Sequence, residues 1–250
     1  MNGRDVTVSI VSHGHGWTGE VQALLQCLHR LSASHVSRVV VTLNIPEPAL
    51  DAWLQEQTWP FEVRVLRNAR PRGFGANHNA AFGMCSSATF CVLNPDIRFV
   101  EDPFGPLLDA LTPGTGCSYP RQTDGAGRPR ASARAVPSLA EILRRRMFGR
   151  ATSAGLPLYA MGFFLLLRAE VYRTLHGFDE GFFMYCEDVD LSIRLQLGGW
   201  RIAEADASVI HAHHAASHRH PRHLAWHVAS LLRLWRSPGY ARLAQLRDAP

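Results

Sequence analysis

Four short β-rich runs, separated by stretches with helical signals, fill the first hundred residues and narrow the fold more than any other feature. Residues 6–11 form the first run, which ends at Ser12-His13-Gly14. A helix follows, with Thr18 as its cap and Val21, Leu24, Leu25, Leu28 and Leu31 on one face at a 3–4 spacing. Residues 39–43 are almost continuously apolar, which suits a strand covered on both faces. Phe61, Val63 and Val65 then alternate with Glu62 and Arg64, and residues 90–93 form another apolar run that stops at Asn94-Pro95-Asp96. Strands alternating with helices predict βαβ units, a mostly parallel sheet and ligands at its carboxyl edge.

Beyond Asp96 the pattern loosens. Residues 112–137, rich in Gly, Pro, Ser and Arg, read as a loop or a pair of short edge strands. Ser138-Leu139-Ala140-Glu141 is a capping box for a helix to about residue 148, and 150–157 reads as a Gly- and Ser-containing loop. Residues 158–168 read as one buried strand, followed by a short helix and the turn Gly177-Phe178-Asp179. A helix starts near Glu187 and closes at Gly198-Gly199, which suit a left-handed cap. Residues 224–234 form an amphipathic helix carrying Trp226.

No repeat and no linker divides the 250 residues, so the expectation is one α/β domain over 1–218 and a helical extension over 219–250. Its nucleotide-binding half is 1–96 and its acceptor and catalytic half 97–218. The 46% hydrophobic and 19% charged residues exclude overall disorder. The most apolar stretch, 161–167, is too short to span a bilayer, and no secretion leader is recognised. A cytoplasmic chain, free or peripheral at the inner face of the cell membrane, is expected. Five scattered cysteines without a CxxC pair read as reduced core thiols.

The net charge of +5 reflects arginines concentrated in 121–150 and 219–247. Such clusters face phosphates or simply solvent. No aromatic–basic stripe or nucleic-acid motif accompanies them, and a nucleic-acid partner is not expected. In the last helix Leu224, Val228, Leu231, Leu232 and Trp235 are flanked by Arg222, Arg233 and Arg236. That face suits an anionic membrane surface, the rest of the domain, or a second copy of the chain in a homodimer.

Three places carry chemistry. Asp96, just past a buried strand, puts a carboxylate at the sheet edge, where it can hold Mg²⁺ or Mn²⁺ against a diphosphate; the same tripeptide also suits a plain turn. Glu187-Asp188-Val189-Asp190 opens a helix, where acids favour the dipole. Asp190 has Arg194 four residues on as a partner, whereas Asp188 has no local cation. Behind Phe182, Phe183 and Tyr185, Asp188 suits an apolar cleft that raises its pKa towards that of a base. Finally, residues 211–220 hold five histidines, of which one can complete the metal shell of Asp96. His211, at the end of a β-like run over 207–210, is the first choice, with His213 and then His214 behind it. Gly73-Phe74-Gly75 lacks a third glycine and a preceding strand, so it is not a dinucleotide loop, but it can open a helix beside a nucleotide or sugar.

Taken in order, these pieces resemble glycosyltransferase family 2, in particular its rhamnosyltransferase-like branch from bacterial surface-polysaccharide pathways. The resemblance rests on Val8 to His13, Asn68 to Asn79, Leu93-Asn94-Pro95-Asp96 and Gly162 to Arg168. It continues through Gly177 to Phe183, Glu187 to Leu191, Gly199-Trp200-Arg201-Ile202 and Val209-Ile210-His211. It implies a GT-A fold: a Rossmann-like, mostly parallel sheet flanked by helices, with a smaller mixed acceptor-side portion. It also implies a nucleotide-diphosphate-sugar donor, a saccharide or lipid-linked saccharide acceptor, and Mg²⁺ or Mn²⁺ as cofactor. By position it makes Asp96 and His211 metal ligands and Asp188 the general base. Ser12, His13, Asn44, Arg72, Asn77 and Asn94 fall on the donor side, and Gly162 and Glu187 on the acceptor side. The expected reaction is an inverting transfer in a single displacement. Leu43-Asn44 stands where the family carries Asp-Asn, and Asn94 replaces an acid; those departures motivate a second reading, a nucleotide-sugar-binding domain with impaired catalysis.

Overall fold

The computed structural model describes residues 5–138, 158–211 and 221–248. The alternation in the first hundred residues folds as β1 (Val6–Ser12), α1 (Glu20–Ser32), β2 (Val36–Leu43), α2 (Pro48–Glu56), β3 (Glu62–Arg67), α3 (Phe74–Phe82) and β4 (Thr89–Leu93). These four strands pair in parallel in the order β3-β2-β1-β4. Their apolar runs are near-continuous because both faces of the sheet are covered. Val39, Val41, Cys91 and Leu93 enter the core packed against α1, and Val40, Phe90 and Val92 enter the one on the other side.

The second half follows with β5 (Ile97–Arg98), α4 (Phe104–Asp109), β6 (Thr115–Thr123), β7 (Pro129–Arg130), β8 (Ala133–Ala135), β9 (Leu158–Ala160), β10 (Phe164–Arg168) and α5 (Ala169–Thr174). Then come α6 (Glu187–Leu197), β11 (Arg201–His211), α7 (Pro221–Arg236) and α8 (Pro238–Asp248). β10 runs antiparallel between β4 and β6, and β11 and β5 complete that edge, so the parallel half continues into a mixed half. Phe164 and Phe90 are fully buried on opposite faces; truncating either to alanine would cost roughly 3–5 kcal/mol.

Three local expectations are corrected. Residues 115–123 are not an edge or loop but a central strand, buried from Thr115 to Pro120; glycine, serine and proline in its sequence mask the β pattern. The run over 158–168 is not one strand. β9 pairs with β8 in a small separate sheet and β10 joins the main sheet, with a break at Met161-Gly162-Phe163. Thr18 does not cap α1: Gly19 holds that place at φ 74°, and the Thr18 hydroxyl donates to the His15 carbonyl. A second terminal helix, α8, was not anticipated. At the end of α6 the left-handed residue is Gly199, at φ 81°.

The five cysteines are free thiols, four of them buried. The helix expected from Ser138 and the loop at 150–157 lie outside the described residues, as do His213 and His214. Among the described residues no helix is long and apolar enough to cross a membrane.

Candidate active site

β4 ends at Leu93, and its next residues cross the carboxyl edge of the parallel strands. β5 then pairs with the end of β11, placing His211 opposite Ile97 and so beside Asp96. His211 Nε2 lies 3.1 Å from Asp96 Oδ2. On the other side of the ring, Nδ1 meets Gln122 Oε1 at 3.0 Å. The Gln122 amide nitrogen donates to the Ala131 carbonyl, so its oxygen is the atom that faces the histidine. Nδ1 therefore carries a proton, and Nε2 faces a carboxylate that needs a positive charge between them. A proton on the ring meets that need, and so does a divalent cation. The donor set fits such a cation: one carboxylate and one imidazole, with Gln122 fixing the ring and a diphosphate able to complete the shell. Among the described residues no third His, Cys, Asp or Glu joins them. Burial works to raise the pKa of Asp96, but the hydrogen bond and charge of His211, with His15 adding, hold it below its usual range.

The break between β9 and β10 brings the second acid to the same place. Gly162 N–H donates to Asp188 Oδ2 at 3.0 Å, and the Asn94 N–H donates to the Phe163 carbonyl at 2.9 Å. The Phe163 ring also lies 5.1 Å from that of His211. Two consecutive residues thus bridge the Asp96–His211 pair and Asp188. A Cβ on Gly162 would sit 3.3 Å from Asp188 Cβ, so that Asp188 would have to give by a few tenths of an ångström, and in ordinary contact with Phe74 at 3.6 Å.

Asp188 is presented by a tight turn. Tyr185 and Cys186 take consecutive left-handed conformations (φ 73° and 64°), a conformation that costs non-glycine residues of order 1–3 kcal/mol each. The second carboxylate oxygen of Asp188 accepts the Val189 N–H at 2.8 Å. Burial raises the Asp188 pKa, while the Gly162 and Val189 amides and the Arg134 charge oppose the rise. Arg134 faces Tyr159 across the β8–β9 pair and supplies from far along the chain the positive charge that Asp188 lacks locally. Glu187 is 6% exposed, and its Oε2 has no hydrogen-bond partner among the described residues. Burial, with the Asp188 charge adding to it, pushes its carboxyl up to about 8. Burial disfavours the charged form of both neighbouring acids.

No family model matches the sequence. Rhamnosyltransferase WbbL of Escherichia coli K12 is 38% identical over 77 residues, which are 30% of this chain and 29% of that protein. N-acetylglucosaminyl-diphospho-decaprenol L-rhamnosyltransferase of Mycobacterium tuberculosis is 33% identical over 159 residues, 56% of this chain and 52% of that one. The chain thus spans about half the length of this mycobacterial relative and less of the other. Mannosyltransferase PcManGT of Pyrobaculum calidifontis, solved with GDP-Man and Mn²⁺, superposes with a TM-score of 0.66 at 15% identity, covering 99% of this chain and 76% of its own. GalNAc-T7, solved with UDP, GalNAc and Mn²⁺, gives 0.65 at 16% identity, over 98% of this chain and 48% of its own. The chain has the GT-A fold of these two structures and is similar in sequence to the two rhamnosyltransferases.

The residues expected on the donor side form a scaffold around Asn44, just after β2. Its amide nitrogen meets His13 Nδ1 at 3.2 Å and donates to the Arg72 carbonyl at 3.0 Å. Its oxygen accepts Asn68 Nδ2 and the Arg72 N–H, both at 2.8 Å. Asn77, buried, joins through Asn68 and the Arg72 carbonyl. The Arg72 guanidinium pairs with Glu180 at the exposed rim. His13 is exposed, and Ser12 is fully buried with its hydroxyl unpartnered among the described residues. Glu47 accepts the N–H groups of Gly14 and Gly16 at 3.0 and 2.8 Å and so shapes the loop after β1. Sequence reasoning missed Glu47, Gln122 and Arg134, because each acts on residues 31 or more positions away and none sits in a motif. The expected Asp190–Arg194 pair forms at 2.7 Å.

Proposed function

We propose that this chain is an inverting glycosyltransferase. It moves a sugar, rhamnose by analogy with its relatives, from a nucleotide-diphosphate donor to a hydroxyl of a saccharide or lipid-linked saccharide. The observation that carries the reading is the Gly162-Phe163 bridge, which gathers Asp96, His211 and Asp188 at one sheet edge.

Asp96 and His211 would hold Mg²⁺ or Mn²⁺, with Gln122 keeping the imidazole turned toward it. When bound, the ion supplies positive charge against the departing nucleoside diphosphate. The loop of Gly14 and Gly16 and the Asn44 scaffold border the donor, and Asn94 lies beside Asp96. Asp188 takes the proton of the acceptor hydroxyl as that oxygen attacks the sugar face opposite the leaving diphosphate. One base and one displacement invert the anomeric centre. Two backbone amides aim the Asp188 carboxylate. A lipid-linked acceptor would place the chain at the inner face of the cell membrane, with residues 219–250 as its helical extension.

The test is release of nucleoside diphosphate from a panel of nucleotide-diphosphate sugars, with Mn²⁺ and a lipid-linked saccharide acceptor. A product of inverted anomeric configuration, abolished by EDTA, is expected. Absence of release with every donor, alongside tight nucleotide binding, would favour the catalytically impaired domain instead.

A further inference from the structure

One face of α7 is fastened to the acceptor side of the site. Ser230 donates to the Met184 carbonyl at 2.8 Å, Tyr185 meets His223 at 2.9 Å, and the Trp226 and Phe183 rings lie 4.9 Å apart. Arg233 forms a bidentate pair with Asp179, and Leu234 is fully buried. These contacts fix which face points outward. On it Leu224, Val228 and Leu232, spaced four apart, are 65%, 49% and 41% exposed. Ala225 and Ala229 widen the strip, and exposed Arg222 and Arg236 stand at its two ends.

α7 itself carries charge of one sign, Arg222, Arg233 and Arg236, of which Arg233 is paired with Asp179. Between Asp206 and Asp248 there is no acidic residue, while six arginines fall in that span. An apolar strip edged by cations complements a surface with anionic groups outside and hydrocarbon beneath. A second copy of the same face would set arginines against arginines.

We infer that the outer face of α7 lies on an anionic lipid bilayer, inserting Leu224, Val228 and Leu232 among the acyl chains with Arg222 and Arg236 at the headgroups. The inference deepens the proposed function and rests on it for the benefit of docking, since α7 is joined to the loop that leads into Asp188. Binding to the bilayer itself requires no turnover.

Flotation with vesicles of phosphatidylglycerol and phosphatidylethanolamine tests it, with phosphatidylcholine vesicles as the uncharged comparison. The chain should float with the anionic vesicles and far less with the neutral ones. Leu224→Gln/Val228→Gln/Leu232→Gln should weaken partitioning about a hundredfold without lowering the melting temperature. Arg222→Gln and Arg236→Gln should each weaken it about fivefold. Asp188→Asn should float like the parent chain, so lost transfer with intact flotation separates a failure of the catalytic reading from a failure of this one. No flotation of the parent chain, or undiminished flotation of the triple variant, overturns the inference. A dimer in solution that the triple variant dissolves would assign the face to a second copy and overturn it equally.

Discussion

Gly162 gives its N–H to Asp188 at 3.0 Å, and the neighbouring Phe163 takes the N–H of Asn94, two residues before Asp96. The spacing between the proposed base and the proposed metal pair is therefore set by one dipeptide at a break between strands. Small displacements there change the relation of the two acids without touching either of them.

Gly162→Ala follows directly. The added methyl would stand 3.3 Å from Asp188 Cβ, close enough to shift Asp188 by a few tenths of an ångström. Steady-state kinetics should show kcat lowered about 10- to 100-fold, because reacting groups tolerate little misplacement. Donor affinity by calorimetry should stay unchanged.

Gln122 touches neither donor nor acceptor in the proposed site, yet it decides which nitrogen of His211 faces Asp96. Gln122→Leu keeps the volume and removes the acceptor. Titration of Mn²⁺ in the presence of a nucleoside diphosphate should show affinity weakened about 10- to 100-fold. Unchanged Mn²⁺ affinity would remove Gln122 from the site.

Glu187 gives the pH dependence of stability a definite sign. Its carboxyl titrates from an ordinary 4.5 in the unfolded chain but near 8 when folded, so the native state binds the extra proton between those values. Its contribution is fully present below pH 4.5 and is lost as pH rises through 8. Glu187→Gln removes that loss. Its melting temperature should match the parent near pH 4.5 and exceed it at pH 8, by roughly 2–4 °C for each kcal/mol regained. Parallel melting curves for the two proteins across that window would contradict the assignment.

The parallel half was legible because its strands are buried on both faces and so are apolar without interruption, as at Val39 to Val41. β6 was not, since Gly116, Ser118 and Pro120 break the pattern, and its burial comes from β10 and β11, far away in sequence. The break at Gly162 was hidden inside a run that stays apolar through two strands of different sheets. Asp96, Asp188 and His211 stood out as candidates because they lie between two strands, at a helix start and at a strand end within recognisable blocks. Arg134 and Gln122 reach the site only through tertiary pairing. Asn44 and Asn77 were placed on the donor side by position, and the structure reveals what position does not, that their side chains brace the Arg72 loop.

Mn²⁺ binding with a nucleoside diphosphate, followed by electron paramagnetic resonance across three variants, tests the division of labour most directly. Asp96→Asn and His211→Ala should lose the bound-ion signal. Asp188→Asn should keep it while transfer falls about 10²- to 10⁴-fold, the range expected on losing a general base. Full transfer by Asp188→Asn, or an undiminished Mn²⁺ signal in Asp96→Asn, would contradict the account.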